Sequence, residues 1–360
     1  MKQYARTLGD SFFFRGICIF LIIVFHTINL FEIKQSSISS VFLLLSSFKE
    51  SINAVLFIAS GIGFASKDIE KTFKQYAKYI LIPYCITALF TSLIHLIVHY
   101  ATFKWFPGAV SETIKLLKGY ILGLACTYEF SSGVAYSCGP IWFLLTLFIS
   151  WNILNIITNK IEEKYQTIAV FTICIFGSLI YKFSNFPLFC LPQSMVSVFY
   201  LYVGYFIKNN KLINVIANKK FYFIVFISAL LVLVPSVIFQ RIDSISEMNL
   251  NLGILSVISH GIIGTYIYLL FMKIKLRKKI TSYFFGYIGK NSRDIICFHT
   301  IEFHAIPWYL LADFFNNSIL GFLVIIVARI AIILSLGLIV KYYKKIKRSR
   351  SLKNRITQKA

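Results

Sequence analysis

RGICIFLIIVFH, residues 15–26, sets one arginine and one histidine at the two ends of ten uncharged residues. Apolar residues extend it to about 12–31, enough to cross the hydrocarbon core as a helix. Eleven helical steps of about 100° make close to three whole turns. Arg15 and His26 therefore share a face, about 16 Å apart along the axis. In lipid both side chains are costly, so both are expected to face protein or water. Lys2 and Arg6 precede the run, but no small-residue cleavage site follows it, so it reads as a retained span.

The rest of the chain follows the same pattern. Of its 360 residues 58% are hydrophobic and 14% charged, with a mean hydropathy of +0.74. Runs of this length recur throughout, and the short alternating strands of a membrane barrel are absent. The fold expected is all-α, a polytopic integral membrane protein with about ten transmembrane helices. The expected spans are 12–31, 45–65, 79–100, 140–158, 166–183, 194–208, 221–239, 253–272, 292–312 and 318–340. The net charge of +23 is not a nucleic-acid signal, because the cations fall in the short segments between spans. With the N-terminus inside, the inner segments carry 26 Lys and Arg and the outer ones seven, which predicts that both termini are cytoplasmic. Residues 1–340 read as one transmembrane domain. Residues 341–360 read as a basic cytoplasmic tail resting on anionic membrane lipid.

Residues 101–139 form a long outer segment in which Phe103, Trp105, Phe106 and Tyr120 could either hold a sugar or make an aromatic belt. The seven cysteines show no metal spacing, and Cys126 and Cys138 are near enough in sequence to pair. His95 and His99 stand at i, i+4 with no third ligand in sight. HTIEFH is not an HExxH motif, so no metal site is expected. His260 has no evident partner.

Polar residues inside spans are the candidates for chemistry. His26 can take a proton from a hydroxyl as that hydroxyl attacks a thioester. Arg15, near the cytoplasmic end, can meet the phosphates of a coenzyme A donor, and Lys74 and Lys78 stand ready to help. For Arg15 and His26 the plainer alternative is a snorkelling arginine and a core histidine. In the ninth span, Ser292 and His299 are two turns apart on one face. Glu302 lies near mid-depth there, and Arg329 near mid-depth of the tenth span, so the two are expected to form an intramembrane ion pair.

Taken in order, these stretches resemble the membrane-bound acyltransferase-3 family. RGICIFLIIVFH is similar to its R-x10-H, and SGIGF at 60–64 to the end of its second helix. The basic run into IPY, PIWFL, FYLYVGYFI and the GKNS…H of span nine are also similar, over nearly the whole chain. The resemblance implies a stand-alone membrane O-acyltransferase of a bacterial plasma membrane. It implies acetyl-CoA, or another acyl-CoA, as cytoplasmic donor, with no permanently bound cofactor. It implies a hydroxyl of a cell-surface polysaccharide, or of its lipid-linked glycan precursor, as acceptor. Arg15 and His26 then form the functional pair, and Ser292 and His299 correspond to the serine and histidine of helix nine. A transporter or flippase of a glycan precursor is the rival reading, since it too would use intramembrane charges.

Overall fold

The computed structural model describes residues 2–31, 43–184, 188–210, 218–273, 279–316 and 318–357. Of the cations used to orient the spans, Lys34, Lys211, Lys275, Arg277, Lys278 and Lys359 lie outside these residues. The chain is 82% helical. In order come α1 (Lys2–Ile28), α2 (Lys49–Ile62), α3 (Ile69–Tyr76), α4 (Ile82–Phe103), α5 (Phe106–Leu122), α6 (Trp142–Lys160), α7 (Glu163–Ser184) and α8 (Leu191–Asn209). There follow α9 (Lys219–Ile238), α10 (Ile254–Lys273), α11 (Lys279–Lys290), α12 (Ser292–Ala305), α13 (Trp308–Phe314) and α14 (Ile319–Thr357). Among the described residues the one sheet is a hairpin of β1 (Tyr128–Phe130) and β2 (Gly133–Ala135).

Each of the ten expected spans falls on a helix, but they are not alike. Among the described residues seven helices are long and apolar enough to cross a membrane, or eight if α12 and α13 count as one bent span. The first and sixth expected spans fall short of that test. The first is apolar only over Phe12–Ile28. The sixth, α8, carries Gln193, Ser194 and Ser197, all buried. A helix enclosed by other helices need not present a lipid-compatible surface on every side. The outer helices show the opposite: only 22% of the apolar windows of α7, α9 and α14 is buried, against 72% for the second span.

The bend in the ninth span has a local cause. Ile306 precedes Pro307 and is extended (φ −103°, ψ 125°), as the proline ring demands of its neighbour. The axis turns by 64° between α12 and α13 and brings Trp308 back under Glu302.

Two inner interfaces are closed through glycine. A Cβ on Gly61 of α2 would meet the Leu201 carbonyl oxygen of α8 at 2.0 Å, and one on Gly204 would meet the Ile58 oxygen at 2.1 Å. Gly16 and Gly289 lock α1 against α11 in the same way, on the oxygens of Phe285 and Phe12. In lipid, helices associate through such close backbone approach, since no water is expelled between them. Gly61→Leu is therefore expected to destabilise the bundle by at least about 1–3 kcal/mol. Thermal unfolding of the purified protein in nanodiscs checks this, with Gly286→Ala, where an added Cβ meets nothing within 4 Å, as the neutral control.

The long segment 101–139 contains the helix α5 and the hairpin. α5 lies along α4 and ends at Gly123 in the left-handed region (φ 60°), where a side chain would be strained. Tyr120 is buried and its carbonyl accepts from the Tyr84 hydroxyl at 2.7 Å, whereas Trp105 and Phe106 are exposed. Cys126 and Cys138 are both free thiols. The basic tail continues α14 without a break as far as Thr357.

Candidate active site

The first and ninth spans meet at their histidines. His26 is within one turn of the C-terminal end of α1, and His299 is in the middle of α12. Their ring centroids are 5.4 Å apart, and Phe303 stands against both, at 5.4 Å from His26 and 6.1 Å from His299. The rings border a small chamber of about 40 Å³ that Lys49 and Asn53 of α2, Trp142 of α6 and Ser246 also line. That is room for one or two water-sized groups.

His299 is fixed from behind. Its Nδ1 is 2.6 Å from Glu302 Oε1, one turn along α12. The same oxygen accepts from Arg329 Nε at 3.1 Å, and Trp308 Nε1 donates to Glu302 Oε2 at 2.6 Å. Arg329 also donates from Nη1 to Thr27 Oγ1 at 3.1 Å, which ties α14 to the residue next to His26. Glu302, Arg329 and His299 are all buried. The Glu302 oxygen facing Nδ1 already accepts from Arg329, so a neutral His299 ring carries its hydrogen on Nδ1. Its Nε2 is then left with a lone pair, buried and without a hydrogen-bond partner. The net charge of the cluster is zero, and three donors satisfy the carboxylate, which is what makes an ion pair tolerable in this medium.

Arg15 lies three turns earlier on α1, near the start of its apolar part Phe12–Ile28. Its Nη2 donates to the Ala59 carbonyl at 2.9 Å, on the turn that opens SGIGF. Lys208 of α8 donates to the Phe64 carbonyl at 2.8 Å, so two cations meet at the last turn of α2. The other residues expected to bind a donor do not join them. Lys74 is exposed and paired with Glu70. Lys78 is exposed on the π-helical turn Ala77–Leu81. Ser292 opens α12, half-buried, and does not line the histidine chamber.

His260 belongs to a second buried cluster. It is 2.8 Å from Ser51 Oγ through Nδ1 and 3.1 Å from Asp243 Oδ2 through Nε2. All three are buried, so no substrate reaches Ser51. The cluster instead fastens the loop 239–253, which carries Ser246 to the chamber, onto α2 and α10. Burial opposes ionisation of Asp243, but hydrogen bonds from His260 and the Asn251 amide outweigh it and hold the carboxyl below its usual value. A lowered carboxyl stabilises the fold above the usual aspartate range and loses that effect as pH falls through the lowered value. Asp243→Ala is expected to cost about 1–3 kcal/mol and to flatten the acid limb of a plot of unfolding temperature against pH. Thermal scans of both proteins between neutral and acid pH check it.

Trp308, Thr27, Lys49, Asn53 and Lys208 were not among the site residues expected from the sequence. Each acts across helices far apart in the chain, or across the bend at Pro307. Only that proline, lying inside an expected span, hinted at a change of direction.

No curated protein and no solved structure matches the chain. A family model described as "Acyltransferase domain" (Acyl_transf_3) does match, over residues 13–339. That range begins at the first turn of the apolar part of α1, ends with the apolar part of α14, and takes in both histidines, the ion pair and Arg15. The chain belongs to the acyltransferase-3 family, and is a membrane acyltransferase.

Proposed function

We propose that the protein moves an acyl group, acetyl above all, from cytoplasmic acyl-CoA to a hydroxyl of a cell-surface polysaccharide or its lipid-linked precursor, in a bacterial plasma membrane. The observation that carries this reading is the pair of facing imidazoles, one of them braced by a buried carboxylate and guanidinium. With both termini in the cytoplasm, Arg15 and Lys208 stand at the inner end of α2 and of the apolar part of α1, where the phosphates of the donor arrive. His26 and His299 stand about 16 Å further out.

In the transfer, the acceptor oxygen attacks the thioester carbon while His26 takes the hydroxyl proton. The carbon–sulfur bond breaks, and the proton passes from the imidazolium to the leaving thiolate. His299 presents its Nε2 lone pair to the same small chamber, and Glu302 is a positioning residue that holds that tautomer. No metal is called for, and coenzyme A is a substrate and not a resident cofactor. The basic end of α14 rests on anionic lipid.

Mass spectrometry of surface glycans from cells with and without the gene tests the reading. The expected result is loss of one ester substituent with the glycan backbone intact. An unchanged ester pattern, with glycan precursor accumulating inside the cell, would instead mark a flippase.

A further inference from the structure

Outside the histidine chamber, a second and larger cavity of about 250 Å³ opens between α4, the α12–α13 bend and Tyr136, the residue after β2. His95 and His99 face it from α4, His304 from α12, and Phe103, Tyr136 and Trp308 supply aromatic surface. Phe303 and Trp308 are shared ground. Phe303 lines this cavity and also stands against His26 and His299, while Trp308 lines it and holds Glu302. One aromatic ring therefore separates the cavity from the two imidazoles.

The lining selects its ligand by chemistry. Among the described lining residues there is no carboxylate, ammonium or guanidinium, so a charged group would be desolvated there without a counter-ion. A lipid tail would leave imidazole nitrogens unpaired, and His99 Nδ1 is already buried with no hydrogen-bond partner. No group of three or more His, Cys, Asp or Glu among the described residues is disposed to hold a metal. What suits three imidazoles set among aromatic faces is a neutral ring rich in hydroxyls. Imidazoles can donate and accept, and the rings cover the apolar faces of a sugar. The volume lies below the roughly 300–1,000 Å³ of sites that take drug-sized ligands, which limits the occupant to about one ring. His95 is held for this by Thr113 Oγ1 at 2.8 Å. Tyr136 is held by its hydrogen bond to Glu112, which Lys115 neutralises. Gly139 leaves the space that the His304 ring fills: a Cβ there would meet Nε2 at 2.2 Å.

We infer that this cavity is the acceptor subsite, that it takes one neutral pyranose ring, and that Phe303 is the partition past which the acceptor hydroxyl reaches His26. The assignment rests on the acyl-transfer reading for the word acceptor, but the binding itself does not.

Saturation-transfer NMR on the full chain in nanodiscs, free of glycosidic detergent, tests it with methyl hexopyranosides and with glucuronate as the charged control. The expected result is transfer to the methyl hexopyranosides and not to glucuronate. His99→Phe, which keeps a ring of similar size but removes the free nitrogen, should abolish the signal while stabilisation by coenzyme A stays unchanged. No signal from wild type, an equal signal from His99→Phe, or a stronger signal from glucuronate would overturn the inference. Sugar binding that His99→Phe removes, in a protein that transfers no acyl group, would keep the subsite and remove the acyltransfer reading. Acyl transfer that His99→Phe leaves untouched would do the reverse.

Discussion

His26→Ala is expected to fold, to be stabilised by coenzyme A as well as the wild type, and to transfer acyl groups at least 100-fold more slowly. The magnitude follows from the role. A positioned general base contributes about 10²–10⁴ in rate, and among the described residues no side-chain hydrogen bond is made by the His26 ring. Its neighbours are aromatic rings and the open chamber, so alanine leaves a void and not an unpaired buried charge. His299→Ala is expected to be slow as well, but it also strips a donor from Glu302 and should lose stability. The two variants are told apart by parallel measurement of rate and unfolding temperature. If the rate loss at position 26 simply tracked lost stability, His26 would be a packing residue.

The largest structural effect is expected at Arg329. Arg329→Met leaves the Glu302 carboxylate buried opposite an apolar side chain, and breaking one half of such a pair costs about 3–5 kcal/mol. Glu302→Gln together with Arg329→Met removes both charges. It should recover much of that loss, because two neutral side chains need no counter-ion. The amide oxygen that replaces the carboxylate can still accept from His299, so the double variant should fold yet transfer more slowly, its imidazole less firmly held. A double-mutant cycle on unfolding temperature and on rate separates the two contributions. Equal destabilisation by the single and double variants would mean that shape, and not charge, holds α12 to α14.

How much of this was legible in the sequence depends on the distance over which each feature acts. Apolar runs and loop cations are local, so ten helical segments could be placed before any coordinates. Whether α1 and α8 qualify as free-standing spans was not local. Their polar residues are tolerated because neighbouring helices enclose them, and hydropathy along one chain carries no such information. Glu302 and Arg329 each stood at mid-depth of neighbouring spans. The structure joins them, and it adds Thr27 and Trp308, which a pairwise reading of charges does not contain. His260 and Ser51 are 209 positions apart, and only the rotation of α2 against α10 brings them together. The long outer segment read as a loop because Lys115, Lys118 and Glu112 interrupt its apolar pattern. It forms α5, whose buried side carries Ala109, Leu116 and Tyr120.

Arg15 shows the same limit from the other direction. The R-x10-H spacing put it on the face of His26, and the helix keeps the two residues three turns apart. Its partner, however, is a backbone carbonyl of α2 and not another side chain. Lys74 and Lys78, equally basic in sequence, remain on the exposed surface. What gathers cations near Arg15 is the close glycine-mediated contact of α2 with α8, which carries Lys208 to the end of SGIGF.

The most direct test uses the purified protein in sealed vesicles, with labelled acetyl-CoA confined to the face that carries the termini and the glycan acceptor supplied at the opposite face. The wild type is predicted to place label on the acceptor as an ester and to release coenzyme A on the donor side, with His26→Ala failing to do either. Full labelling by His26→Ala, or glycan crossing the vesicle without label, would contradict the proposed chemistry.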